Sequence, residues 1–159
     1  MTTTSISKSS LLSNIWRNFY DRVKDQVTSV TISISPGTQT IQTYATSYSD
    51  VNFESKDDFP ILVINTPKIP QEQFTFGKTQ LNGVIEFEIY ATNSQAADKF
   101  LDAVNAAIET YKYSFAGVGL KQLELDDIDV DFIEYGNIKA HIRTARWKFI
   151  YYFDRTGAF

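Results

Sequence analysis

The sequence predicts an α+β fold, a mostly antiparallel sheet of about four to five strands packed with two amphipathic helices, plus a long polar loop or hairpin insertion. Three observations predict it. Two stretches repeat apolar residues at helical spacing, several others alternate apolar with polar residues, and a polar run over residues 35–58 interrupts them. A chain of 159 residues falls within the usual range of one domain, and at this size roughly two-thirds of the unfolded surface is buried on folding. The expected organisation is a flexible polar arm over 1–8, a single domain over 9–153 carrying the insertion 35–58, and a tail over 154–159.

Leu11, Leu12, Ile15, Trp16, Phe19, Tyr20, Val23 and Val27 recur at spacings of one, three and four, which predicts a helix over about residues 9–26 with its stripe facing the core. Ser9 or Ser10 is placed to cap it by accepting from an early backbone N–H. Val30, Ile32 and Ile34 alternate with Thr31 and Ser33 as a half-buried strand does, and Ser35-Pro36-Gly37 breaks the pattern. Beyond the insertion, Phe59-Pro60-Ile61-Leu62-Val63-Ile64 is a continuous apolar run, the mark of a strand covered on both faces, and Pro67 and Pro70 end it.

From Gln80 to Tyr90, the side chains of Ile85, Phe87 and Ile89 share one face and those of Glu86, Glu88 and Tyr90 the other. One buried face and one face open to water or a partner are expected. Thr92-Asn93-Ser94-Gln95 fits a capping box, with Thr92 and Gln95 satisfying each other's backbone donors. Ala97, Phe100, Leu101, Val104, Ile108 and Tyr111 then form the second helical stripe, and Gly117 and Gly119 end it.

The last forty residues carry the clearest pairing signal. Ile128, Val130 and Phe132 alternate with Asp127, Asp129 and Asp131, Gly136-Asn137 suits a two-residue hairpin turn, and a strand follows over Lys139 to Phe153. Pairing Tyr135 with Ile138 sets Asp127 opposite Arg146 and Asp129 opposite Thr144, so opposite charges meet on the outer face. Ala145, Trp147, Phe149, Tyr151 and Phe153 fall on the inner one.

Composition excludes several classes of function. With 43% hydrophobic residues, 12 Phe, 9 Tyr and 2 Trp, the chain is too apolar for a disordered protein. It has no cysteine, hence no disulfide, thiolate zinc site or cysteine nucleophile. The start shows no secretory apolar run, and no stretch approaches the roughly 20 apolar residues that cross a bilayer. A net charge of −4 argues against a groove that grips phosphates, though not against lying beside DNA.

No cofactor, metal site or catalytic constellation emerges. Asp127-x-Asp129-x-Asp131 opens like a calcium loop, but Phe132 stands where glycine is needed and Ile138 where glutamate is. His141 is the single histidine, and no Gly-x-Ser-x-Gly elbow presents a nucleophile. A strand-end histidine beside an aromatic face, or at a subunit contact, is the expected role. Gly77-Lys78-Thr79 lacks the first glycine of a phosphate-binding loop and precedes a strand rather than a helix. Glu86 and Glu88 share a strand face, where carboxylates are usually solvated or paired with basic neighbours. The insertion sets Tyr44, Tyr48, Asp50 and Phe53 among small polar residues, which suits a partner interface; an ordinary hairpin folded on its own domain is the alternative.

The helical start Leu11 to Val27, the short apolar strand after Phe59-Pro60, the passage Gly83 to Tyr90 followed by Ser94 to Tyr111, and the ending His141 to Phe149 resemble, together, the tail terminator or tail-completion proteins of long-tailed bacteriophages. The resemblance spans about residues 9–153 and rests on pattern and size. It implies a non-enzymatic structural subunit of the virion, made in the host cytoplasm, that forms a ring, usually sixfold. Such a ring caps the tail tube and joins it to the head connector or a head-completion protein, leaving a channel through which DNA passes without tight binding. Asp127, Asp129, Asp131 and Arg146 are then candidates either for a charge pair on the sheet face or for the channel lining. The long insertion and the acidic segment Glu124 to Glu134 depart from the family pattern. A tail-tube or head-closure protein is the nearest alternative, and a small-molecule-binding or enzymatic domain with a cleft at His141, Glu86 and Glu88 is the alternative of another class.

Overall fold

The computed structural model describes residues 6, 10–34, 37–47, 51, 55–69 and 80–152. In chain order the elements are α1 (Leu11–Val27), β1 (Ile32–Ile34), β2 (Gly37–Gln39), β3 (Thr43–Ala45), a 3-10 turn (Lys56–Asp58), β4 (Ile61–Ile64), β5 (Gln80–Ala91), α2 (Ser94–Thr110), α3 (Lys112–Gly117), β6 (Leu120–Tyr135) and β7 (Ile138–Tyr152). β1 and β2 pair as a small antiparallel hairpin, and the other strands form one sheet in the order β3-β4-β5-β7-β6. Only β3 and β4 run parallel. The α+β class and the mostly antiparallel five-stranded sheet are as the sequence indicated, with a short third helix added after the second.

The helices cover one face. α1 packs on α2, α2 on β5 and β7, and α3 on β6. Phe19 is the hub, its ring centroid lying 4.6 Å from Phe115, 5.7 Å from Phe149 and 6.0 Å from Phe87. Rings at these separations gain edge and offset contacts beyond their burial. Both indoles find acceptors, buried Trp147 Nε1 donating to Asn105 Oδ1 at 2.9 Å and half-buried Trp16 Nε1 to the Ile64 carbonyl at 2.8 Å. On β5, Gly83 lies beneath Phe149, whose Cζ would sit 2.5 Å from any added Cβ, so the ring occupies the place of a side chain.

Both helix starts differ in detail from expectation. Ser10 takes the N-cap position of α1 without a side-chain cap bond. At α2 the cap is Asn93, whose Oδ1 accepts from the N–H groups of Gln95 and Ala96, so the Thr92–Gln95 box is displaced by one residue. The buried face of α1 is also rotated from the expected stripe. Leu12 is 42% exposed, while Asn18 and Arg22 are wholly buried. The guanidinium is accommodated because neutral acceptors surround it: Nη1 donates to Asn18 Oδ1 at 2.7 Å, and Nη2 and Nε donate to Ser114 Oγ at 2.8 and 3.0 Å. Burial pulls its pKa below the usual arginine value.

The insertion is structured where it is described. β3 continues the sheet beside β4, with Thr43 opposite Ile61 and Ala45 opposite Val63. Ala45, Phe59, Ile61, Val63, Tyr90, Ile138, Ala140 and Ile142 form a second buried cluster on the face away from the helices, with Val51 and Ile133 against it. Tyr90, expected on an open face with Glu86 and Glu88, is therefore only 2% exposed. The reason is nonlocal cover from the segment that contains Ala45, Val51 and Phe59.

The closing hairpin has the expected register, Tyr135 opposite Ile138, Asp127 opposite Arg146 and Asp129 opposite Thr144. Gly136 has φ +60°, the conformation that the first position of a II′-type hairpin turn demands. Two register shifts, between Lys121 and Glu124 and between Leu125 and Asp127, bend β6, and Gln122 takes a positive φ of 52° at the first. Ala145, Trp147, Phe149 and Tyr151 are buried on the helix side. Phe153, the N-terminal arm apart from Ile6, and the tail lie outside the described residues, as does Gly77-Lys78-Thr79. Ile6 packs partly on the core, and its carbonyl accepts from the Tyr151 hydroxyl at 3.3 Å.

Candidate functional surface

Arg146 is the centre of the charged face. β5, β7 and β6 bring Glu86, Arg146 and Asp127 into one row across the sheet. Arg146 Nε donates to Glu86 Oε1 at 3.2 Å, and its Nη1 donates to Asp127 Oδ1 and Oδ2, both at 3.1 Å, and to Asp129 Oδ2 at 2.6 Å. One cation thus clasps three carboxylates from both neighbouring strands. Hydrogen bonds to Asp129 and Asp127, then Glu86, raise its already high pKa further. Lys68 approaches Glu86 at 3.7 Å and Lys148 approaches Asp126 at 3.3 Å, both cations being well exposed. Such exposed pairs are each worth at most about 1 kcal/mol.

Asp131 takes no part in the clasp; its Oδ1 accepts from the backbone N–H of Phe132 at 2.7 Å. The alternating aspartates therefore divide, two to a guanidinium and one to the strand's own backbone, instead of converging. Among the described residues no group of three metal-ligating side chains converges.

Glu88 stands at the boundary between this open charge and the second buried cluster, paired with Val63 on one side and Thr144 on the other. Burial pushes its carboxyl above the ordinary glutamate value and Glu86 adds to the push, while hydrogen bonds from Asn65 and the Tyr90 hydroxyl, together with Arg146, oppose it. His141 lies on the opposite face. The pairing is unbroken from Arg146 opposite Glu86 to His141 opposite Ala91, and an odd offset of five along β7 turns the side chain over. Its ring meets Phe132 at 5.1 Å, the aromatic neighbour foreseen for it. The structure does not bring His141 to Glu86 and Glu88, so that cleft is not assembled.

Of the four insertion residues singled out, Tyr44 is described and Tyr48, Asp50 and Phe53 lie outside the described residues. Tyr44 is bound into its own domain. Its hydroxyl meets Thr28 Oγ1 at 3.1 Å, Lys24 Nζ stands 4.9 Å from its ring centroid, and Tyr20 meets it edge-on at 6.5 Å. Sequence reasoning missed Glu86 as the third carboxylate on Arg146, because the β5–β7 register is set across two intervening helices and β6, with no short turn to fix it. It also missed how open the helix-side stripe of β6 is. Ile128, Val130 and Phe132 are 45%, 69% and 45% exposed.

No protein-family model matches the chain, and no curated protein matches it in sequence. No helix among the described residues is long and apolar enough to cross a membrane.

Proposed function

We propose that the chain is a structural subunit of a bacteriophage tail, a terminator or completion protein that assembles into a closed ring over the end of the tail tube. Its partners are copies of itself, sixfold by expectation, the tube protein below and a head connector or completion protein above. The observation that carries this reading is the element order, an amphipathic helix, a polar insertion, two core strands, a covering helix and a long closing hairpin. The charged face adds support. Asp127, Asp129 and Asp131 with Glu86 and Glu88 outnumber the cations Arg146, Lys68 and Lys148 beside them, and a ring that turned this face inward would present negative charge to passing DNA. Such a surface repels phosphate within a Debye length of about 8–10 Å and lets a duplex slide.

Closure also ends growth, since a heterologous interface that completes a circle leaves no free end to propagate. The test is the mass of the purified protein by light scattering over a concentration series, with and without tube protein, followed by negative-stain microscopy. A discrete ring-sized species, or a monomer converted to one by tube protein, is expected. Open filaments would move the assignment to a tube protein, and a monomer indifferent to tube protein at every concentration would sink both.

A further inference from the structure

β6 is the outermost strand at one end of the described sheet. Lys68 and Val84 exchange both backbone hydrogen bonds, at 2.8 and 2.9 Å, so even-numbered residues of β5 direct N–H and C=O towards β4 and odd-numbered ones towards β7. Carrying that alternation through the observed pairs leaves Ile128, Val130, Phe132 and Glu134 with N–H and C=O directed outward, beyond the sheet. The Phe132 N–H fits this, being met among the described residues by the neighbouring Asp131 carboxylate in the contact described above. No described strand lies beyond β6.

The two faces of this edge differ in chemistry. Of seven large exposed hydrophobic residues in the described chain, five lie on β6; Leu125, Ile128, Val130 and Phe132 share the helix side, and Tyr135, opposite Ile138, falls on the reverse. The other face carries Asp127, Asp129 and Asp131. Edges guarded against pairing usually present lysine, proline or a very short strand. This one spans 16 residues and presents carboxylates, with β7's cations inboard of it. A second β6 laid antiparallel would oppose acid to acid across the new pair, which is unfavourable.

We propose that the outer edge of β6, over residues 128–134, binds an extended segment of a partner protein in which basic and apolar residues alternate. The segment adds a sixth strand to the sheet. Its backbone pairs with Ile128, Val130, Phe132 and Glu134, its apolar side chains extend the exposed stripe on the helix side, and its lysines or arginines lie beside Asp127, Asp129 and Asp131. Main-chain bonds supply affinity in this mode and the alternating side chains supply selectivity. The inference needs only the edge and its charges, and stands whether or not the protein forms a ring.

The probe is a fluorescent eight-residue peptide of alternating lysine and valine, titrated into the full chain by anisotropy. Its controls are the alternating glutamate and valine peptide and a lysine and valine peptide N-methylated at every second amide. Saturable binding of the first is expected, at least tenfold weaker for either control, with slowed amide exchange at 128, 130, 132 and 134. Val130→Pro removes one outward N–H without touching the ladder to β7 and should weaken binding about tenfold, a folded circular-dichroism spectrum being its control. Asp129→Lys tests the charge independently. Equal binding of the methylated peptide, or unchanged exchange along β6, would overturn the proposal, and so would slowed exchange along β6 as the protein alone is concentrated, since the occupant would then be a second copy.

Discussion

β5 and β6 carry the same pattern and meet opposite fates. Each alternates large apolar side chains with acids, Ile85, Phe87 and Ile89 against Glu86 and Glu88 in one, Ile128, Val130 and Phe132 against Asp127, Asp129 and Asp131 in the other. The first apolar set is 0% exposed, the second 45–69%. β5 lies third of five strands, with α2 across it, whereas β6 is the edge and α3 reaches only its beginning. Alternation thus specifies a strand and the residues that share a face. Sheet order and the placement of the helices decide which face is dry.

The largest expected effect puts that comparison at risk directly. Phe87→Ala removes a fully buried ring and should cost about 3–5 kcal/mol, whereas Phe132→Ala should cost less than about 1 kcal/mol. Urea unfolding of both variants measures the difference. Comparable losses would mean that the β6 stripe is buried in solution. Next, Gly83→Ala forces Phe149 out of its place over β5 and should cost about 1–3 kcal/mol, while Val130→Phe adds volume to the open stripe of β6 and should stay within about 0.5 kcal/mol.

Arg146 links the acid faces of the two strands through β7. Arg146→Ala leaves Glu86, Asp127 and Asp129 without their shared cation, and should lower stability by about 1 kcal/mol at low salt, because the group is part-exposed. Adding salt should shrink the loss by screening the remaining repulsion. A loss that does not change with salt would place the value of Arg146 in its packing instead of its charge.

What the sequence made legible follows how far each pairing travels. The β6–β7 register could be read because a two-residue turn fixes it from its tip, and with it the meeting of Asp127 and Arg146. The parallel pairing of β3 with β4 could not, since a loop and a 3-10 turn separate them and no local pattern marks the register. For the same reason alternation alone sets Tyr90 in the open, although cover from Phe59 and Val51 buries it. Arg22 kept its place on the buried face of α1 through Ser114, 92 positions away. The one trace in the sequence is phase, because Arg22 follows Ile15, Asn18 and Phe19 at helical spacing.

The smallest effect separates the acids of β5 from those of β6 by pH. Burial favours the neutral form of Glu88, so its folded pKa lies above the unfolded value near 4.5. Between those two values the folded chain binds more protons than the unfolded one, and stability falls as pH rises through the window. Glu88→Gln is neutral throughout and keeps an amide to meet Asn65 and the Tyr90 hydroxyl. Its melting temperature should therefore match the wild type below about pH 4.5, with the unfolded carboxyl protonated, and exceed it by a gap that grows through the window and levels off above the folded value. Asp129→Asn, by contrast, gives up a charge that Arg146 uses, and should be the less stable partner at neutral pH. Thermal melts of both variants across pH 3.5–8 read the two signs, an interval chosen to bracket ordinary carboxylate titration of about 4. A Glu88→Gln gap that stayed constant with pH would show that Glu88 titrates as a solvated acid, and that the dry boundary between β4 and β7 is open in solution.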